Sequence, residues 1–222
     1  GWLQAQGVAK GDRVLLYMQN CPQYAIAAYA IFRADAVVVP VNPMNRADEF
    51  GHYITDPQAR VAITTADLAG IVAEADSRLE PEQRLHRVLV TRFADAMPEV
   101  ELDPGEMPPP AVLEWLRSDT TLRDERYWRW GDAIDAGAHP QPHTAQPEDL
   151  ALLPYTSGTT GLPKGCLHTH RTLMSNVAGG GIWGLASAEA VSLGVVPMFH
   201  ITGFMYGVLG NIYLGSTVVI LP

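Results

Sequence analysis

"RVLLYMQNCPQYAIAAYAIFRADAVVVPVN", residues 13–42, sets two apolar runs on either side of a segment with helical composition. "RVLLYM" at 13–18 and "AVVVPVN" at 36–42 are hydrophobic without alternation, as strands buried on both faces are. Between them Pro22 suits the first turn of a helix, where its missing N–H costs nothing, and Asn20 and Cys21 are cap candidates. The helix, 22–34, is apolar nearly all round, which places it in the protein interior. The same alternation continues outward, with strands at "RVAITT" (60–65) and "HRVLVT" (86–91) and helical segments at 46–56 and 67–80. Continuously hydrophobic strands joined through helices predict an α/β, doubly wound architecture: a mostly parallel sheet covered on both faces.

From Phe93 the alternation stops. "MPEVELDPGEMPPP" at 97–110 is acidic and Pro-rich and cannot pair as a central strand, and 111–134 is expected to carry one or two short helices. Trp115, Trp128 and Trp130 are expected to anchor this excursion on the sheet rather than to stack on a ligand. Regularity returns at 149. Strands are expected at "DLALLPYTS", "KGCLHT", 190–198 and 216–221. Thr169 should cap a helix through about residue 178, weakened by the glycines at 179–181, and a further helix is expected near 203–214. The chain thus divides into a first α/β subdomain (1–92), an irregular excursion (93–148) and the start of a second α/β subdomain (149–222).

A net charge of -9 argues against a nucleic-acid groove, and the 47% hydrophobic and 18% charged residues suit a globular chain. Two isolated cysteines, Cys21 and Cys166, form no disulfide framework or zinc site and suggest a reduced, cytoplasmic setting. No apolar run approaches the ~18 residues of a membrane span, and no signal peptide is visible. The start at "GWLQAQG" and the end at "STVVILP", an intact strand with nothing after it, suggest a cut fragment.

"PYTSGTTGLPKG", residues 154–165, is built for neither a core strand nor a helix interior. Glycine lets backbone amides converge on an anion, hydroxyl groups add donors, and lysine adds a mobile positive charge. Lys164 is one of only two lysines in the chain, with Lys10. The physical reading is a phosphate-binding loop. The P-loop of nucleotide triphosphatases fails as a match: Pro163 stands where its second glycine belongs, Gly165 follows the lysine, and "GCLHT" reads as extended rather than helical.

"YTSGTTGLPKG" instead closely resembles the signature of the adenylate-forming enzymes, which include acyl-CoA synthetases, peptide-synthetase adenylation domains and luciferases. In that family the loop joins two strands and closes over the β- and γ-phosphates of ATP. The resemblance implies that Thr156, Ser157, Gly158, Thr159, Thr160 and Gly161 cradle phosphate while Lys164 supplies charge. Cys166 stands where such enzymes usually carry valine, a small hydrophobe for a small hydrophobe. The early region through Thr65 also looks like that of acyl-CoA synthetases. "PMFHITG" at 197–203 resembles the segment "P-hFH--G", which implies that Phe199 and His200 help to form the acid pocket. Amino-acid-activating relatives commonly have aspartate where His200 stands, so the acid is expected to be fatty or aryl.

The implied activity is that of an acid–thiol ligase most like a long-chain fatty acid–CoA ligase, using ATP, Mg2+ and coenzyme A. A carboxylic acid becomes an acyl-adenylate and then a thioester. The alternatives are an aryl-acid or luciferase-like adenylating enzyme, or a nucleotide-binding domain without catalysis. No catalytic residue and no metal ligand is assigned. The fragment alone is expected to be inactive, and its loop at 156–165 to be mobile without ligand. Thr169 and His170, which match a "TH" common in the family, are given capping and packing roles, with phosphate contact as the alternative. His52, His86, His139 and His143 lack metal-ligand spacing and are assigned nothing.

Overall fold

A computed structural model describes residues 1–97, 107–156, 161–184 and 187–221. The elements in chain order are α1 (Trp2–Ala5), β1 (Arg13–Tyr17), α2 (Pro22–Arg33), β2 (Val37–Pro40), α3 (Ala47–Thr55), β3 (Val61–Thr65), α4 (Ala69–Ser77) and β4 (Arg87–Thr91). There follow α5 (Pro110–Leu116), β5 (Tyr127–Arg129), α6 (Trp130–Asp135), β6 (Leu150–Leu152), β7 (Tyr155–Thr156), β8 (Lys164–Gly165) and β9 (His168–Thr169). The chain closes with α7 (His170–Trp183), β10 (Val191–Gly194), a helix over 201–214 whose middle is a wider π-type stretch, Phe204–Gly210, and β11 (Thr217–Ile220).

Seven strands form one sheet in the order β5-β4-β3-β1-β2-β6-β9, all parallel except the β6–β9 pair. Successive side chains of a strand point to opposite faces, and the two apolar layers divide accordingly. Val14, Leu16, Val38, Ile63 and Leu89 pack beneath α2, α7 and the 201–214 helix. Leu15, Tyr17, Val37, Val39, Ala62 and Val88 pack against α3 and α4. The doubly wound expectation therefore holds, with the parallel sheet covered on both faces as βαβ crossovers require. β10 and β11 form a separate parallel pair.

Four local expectations change. α2 is not interior all round: Tyr24, Ala27 and Ile31 are fully buried, but Ile26 on the opposite side is 52% exposed. The excursion contributes an unforeseen strand, β5, which extends the sheet beside β4. α7 runs through its three glycines to Trp183. A Cβ on Gly180 would stand 3.3 Å from the Tyr206 ring and one on Gly181 3.4 Å from the Leu214 side chain, so these two glycines serve close approach of two helices rather than a break. The strand foreseen at 190–198 stops at Gly194, because the chain beyond it is held by a side chain described below. The tryptophans pack as expected: Trp128 meets Trp2 edge-on at 5.7 Å, and Trp115 lies 4.5 Å from Phe93 while donating to Asp67 Oδ2 at 3.0 Å. No helix among the described residues is long and apolar enough to cross a membrane.

Candidate functional site

In open parallel sheets ligands collect beyond the carboxyl ends of strands. Here β2 and β6 are neighbours and their ends open into one cleft. After β6 the chain turns at Pro154 into a short antiparallel hairpin, with Tyr155 opposite Gly165 and Thr156 opposite Lys164. This is the strand–loop–strand arrangement the sequence predicts, and no helix begins within 161–166.

Helix α3 grips the hairpin at both ends. The Tyr155 hydroxyl donates to Asp56 Oδ2 at 2.5 Å, and its ring meets Tyr53 edge-on at 4.8 Å. Burial first, then the hydrogen bond to Asp56 and the Asp56 charge, hold the phenol far above its ordinary pKa, so it remains a neutral donor. On the other side His52 Nε2 lies 2.9 Å from the Pro163 carbonyl oxygen. A carbonyl only accepts, so Nε2 carries the proton.

The opposite wall is the arm that follows β10. Asn20, just past β1 and 7% exposed, accepts from the Met198 amide at 2.7 Å and donates to the Gly194 and Val196 carbonyls at 3.3 and 3.2 Å. The arm then enters the 201–214 helix, which His200 caps by accepting the Thr202 amide on Nδ1 at 3.3 Å. Gly203 is required by proximity rather than flexibility. A Cβ there would lie 2.0 Å from the Pro197 carbonyl oxygen.

The cleft between these walls has a volume of 820 Å³. It brings together Thr156 and Gly161 of the loop with Phe199 and His200 of the arm, and Asn42, Glu49 and Cys166 also line it. Lys164 lies exposed on β8 outside the lining. Ser157, Gly158, Thr159 and Thr160, the centre of the loop whose mobility the sequence suggests, lie outside the described residues. His168 and Ile201 form a shared wall with a second, mainly apolar cavity of 370 Å³ between α7 and the 201–214 helix. Among the described residues no group of three or more His, Cys, Asp and Glu side chains could hold a metal ion.

Next to the loop, Thr169 caps α7 by accepting the Thr172 amide at 3.2 Å, as its sequence position suggests. His170 packs edge-on to Phe32 at 5.6 Å, and its burial lowers its pKa. Asn20 proves to be no helix cap: Cys21 holds that position without a side-chain bond. Neither Asn20 nor His52 announces its role in the sequence, because their partners are backbone groups that any residue provides.

A family model described as "AMP-binding enzyme" matches residues 1–222. The chain belongs to that family. The chain is 28% identical over 225 residues to the long-chain-fatty-acid–CoA ligase of Bacillus subtilis (strain 168), covering 100% of the chain and 39% of the relative. It is also 28% identical over 226 residues to 4-coumarate–CoA ligase 2 of Oryza sativa subsp. japonica, covering 99% and 36%. Among solved structures, that of a long-chain-fatty-acid-CoA ligase from Archaeoglobus fulgidus superposes with a TM-score of 0.72 at 25% identity, covering 99% of this chain and 37% of that one. The chain therefore spans less than two-fifths of the length of these relatives.

Proposed function

We propose that this chain supplies the phosphate-loop and acid-facing parts of an ATP-dependent ligase that converts a carboxylic acid, most like a fatty acid, into a coenzyme A thioester. One observation carries the reading: Thr156 and Gly161 of the loop share a single cleft with Phe199 and His200. In the first half-reaction an acid oxygen attacks the α-phosphorus of ATP and the bond to pyrophosphate breaks, leaving an acyl-adenylate. In the second, the coenzyme A sulfur attacks the acyl carbon, its proton leaves, and AMP departs.

The chain's own part is orientation and charge stabilisation. Thr156, Ser157, Gly158, Thr159, Thr160 and Gly161 donate to the ATP phosphates, and Lys164 swings in as a point charge. Mg2+ travels with those phosphates and offsets part of their charge. Phe199 and His200 face the acid. Complete turnover is expected of a polypeptide with the relatives' full length, not of these residues alone. An aryl acid is the competing substrate class, since similarity to the 4-coumarate ligase equals that to the fatty-acid ligase.

Thiol protection tests the nucleotide half. Cys166 is partly exposed in the cleft wall, whereas Cys21 is 3% exposed and burial pushes its thiol up to about 12. Iodoacetamide should label Cys166 in the native chain and Cys21 only after unfolding, and MgATP should slow the Cys166 reaction. Lys164→Ala should abolish that protection. Labelling of Cys166 that ignores MgATP, with no heat of MgATP binding in calorimetry, would remove the reading. The acid half is tested in the longer polypeptide by acid-dependent pyrophosphate exchange. The rate should fall from parent to His200→Ala to His200→Asp, because aspartate sets a like charge against the substrate carboxylate.

A further inference from the structure

We propose that His52 is a positioning residue for the glycine- and threonine-rich loop, fixing its exit through the Pro163 carbonyl while Asp56 fixes its entry through Tyr155. Its consequence for ligands rests on the phosphate-binding reading above.

The hairpin that carries the loop has two residues in each strand, too few to hold a position without outside support. That support comes from distant sequence, since the His52 and Asp56 contacts span 111 and 99 residues. His52 and Asp56 are four positions apart, so they share a face at the end of α3. Their partners, Tyr155 and Pro163, bracket the loop. Pro163 has no amide hydrogen, which leaves its carbonyl as the one backbone group by which that residue can be held. α3 is itself immobilised: Phe50 and Ile54 are fully buried in the second apolar layer. Glu49 and Tyr53 of the same helix line the cleft. A single rigid element thus forms a wall of the cleft and holds the two described ends of the loop. Donors aimed at phosphate must be held to a fraction of an ångström, so losing the grip should be felt in the ligand although His52 never touches it.

Hydrogen–deuterium exchange on the 222-residue chain reads the grip directly. In His52→Ala the peptide covering 161–166 should exchange at least about tenfold faster, the equivalent of one lost hydrogen bond, with α3 and the sheet unchanged. His52→Gln, which keeps an N–H donor near the same place, should restore most of the protection. The MgATP dissociation constant should rise by about tenfold in the alanine variant and recover in the glutamine variant. Equal exchange at 161–166 in wild type and His52→Ala would overturn the proposal even if MgATP binds. Should the alanine variant loosen as a whole, a fully stable His52→Gln that exchanges as fast there would overturn it. A wild-type chain that ignores MgATP yet loses loop protection in His52→Ala would uphold the grip and remove the phosphate reading instead.

Discussion

The Asn20 side-chain oxygen accepts the Met198 amide at 2.7 Å, tying the end of the central strand to a residue 178 positions later. Its amide group is engaged at the same time by the carbonyls of Gly194 and Val196. One side chain, 7% exposed, therefore sets the arm that presents Phe199 and His200. Asn20→Ala would leave the buried Met198 amide and the part-buried Val196 carbonyl without this partner, while the Gly194 carbonyl keeps the Leu221 amide at 3.3 Å; each unsatisfied buried group costs about 1–3 kcal/mol. A loss of about 3 kcal/mol is expected in urea unfolding. A loss below about 0.5 kcal/mol would show that water replaces the side chain without cost.

The same arm predicts opposite outcomes at two glycines of one helix. A Cβ on Gly203 would lie 2.0 Å from the Pro197 oxygen and 2.8 Å from the Val196 oxygen. Those atoms belong to backbone that Asn20 anchors, so they cannot simply withdraw. Gly203→Ala should cost about 3 kcal/mol through overpacking. At Gly207 the nearest atom is the Met198 side chain at 3.8 Å, an ordinary contact. Gly207→Ala should be neutral or stabilise by up to about 1 kcal/mol, the helix preference of alanine over glycine. Parallel melting curves check both, and equal effects at the two positions would contradict the geometry.

Asp35 gives the pH dependence its sign. Burial pushes its carboxyl pKa up, but bonds from the Thr144 hydroxyl (2.6 Å) and amide (2.8 Å) and the charge of His143 outweigh burial, leaving it below the ordinary value. A carboxylate with a lowered folded pKa stabilises fully above its unfolded value, near 3.9, and loses that contribution as pH falls through the folded value. Asp35 also has φ +59°, a conformation that asparagine tolerates. Asp35→Asn thus removes the charge without adding backbone strain. It should lower stability at pH 7 by about 1–2 kcal/mol and flatten the decline below about pH 4. Denaturant titrations across that range check it; identical acid limbs in the two proteins would exclude Asp35 as a contributor.

What the sequence makes legible is local. Runs such as "RVLLYM" and "AVVVPVN" carry their burial in their composition, and the hydroxyl and glycine content of 154–165 marks a loop wherever it is placed. β5 is not legible because "YWR" becomes a strand through pairing with β4, Leu89 opposite Trp128. The length of α7 is misjudged for a related reason: glycine's poor helix preference yields to the contact with Tyr206. At the site, Thr156, Gly161, Phe199 and His200 stand out by type and order, whereas Asn20 and His52 act on backbone atoms and leave no pattern.

The order of strands in the sheet also has a consequence in time. β1 to β4 lie within the first 91 residues and can pair as soon as they leave the ribosome, which delivers the amino-terminal part first. β6 takes its place beside β2 only after about sixty more residues, roughly 3–12 s of synthesis. During that interval the edge of β2, "VVVP", stands open with three valines in a row, the kind of edge on which nascent chains join one another. Pro40 lacks the N–H that a trespassing strand would need at the end of that edge. The interval before Leu153 donates to Val38 at 2.8 Å is when the growing polypeptide is most exposed to aggregation, and when a chaperone has most to protect.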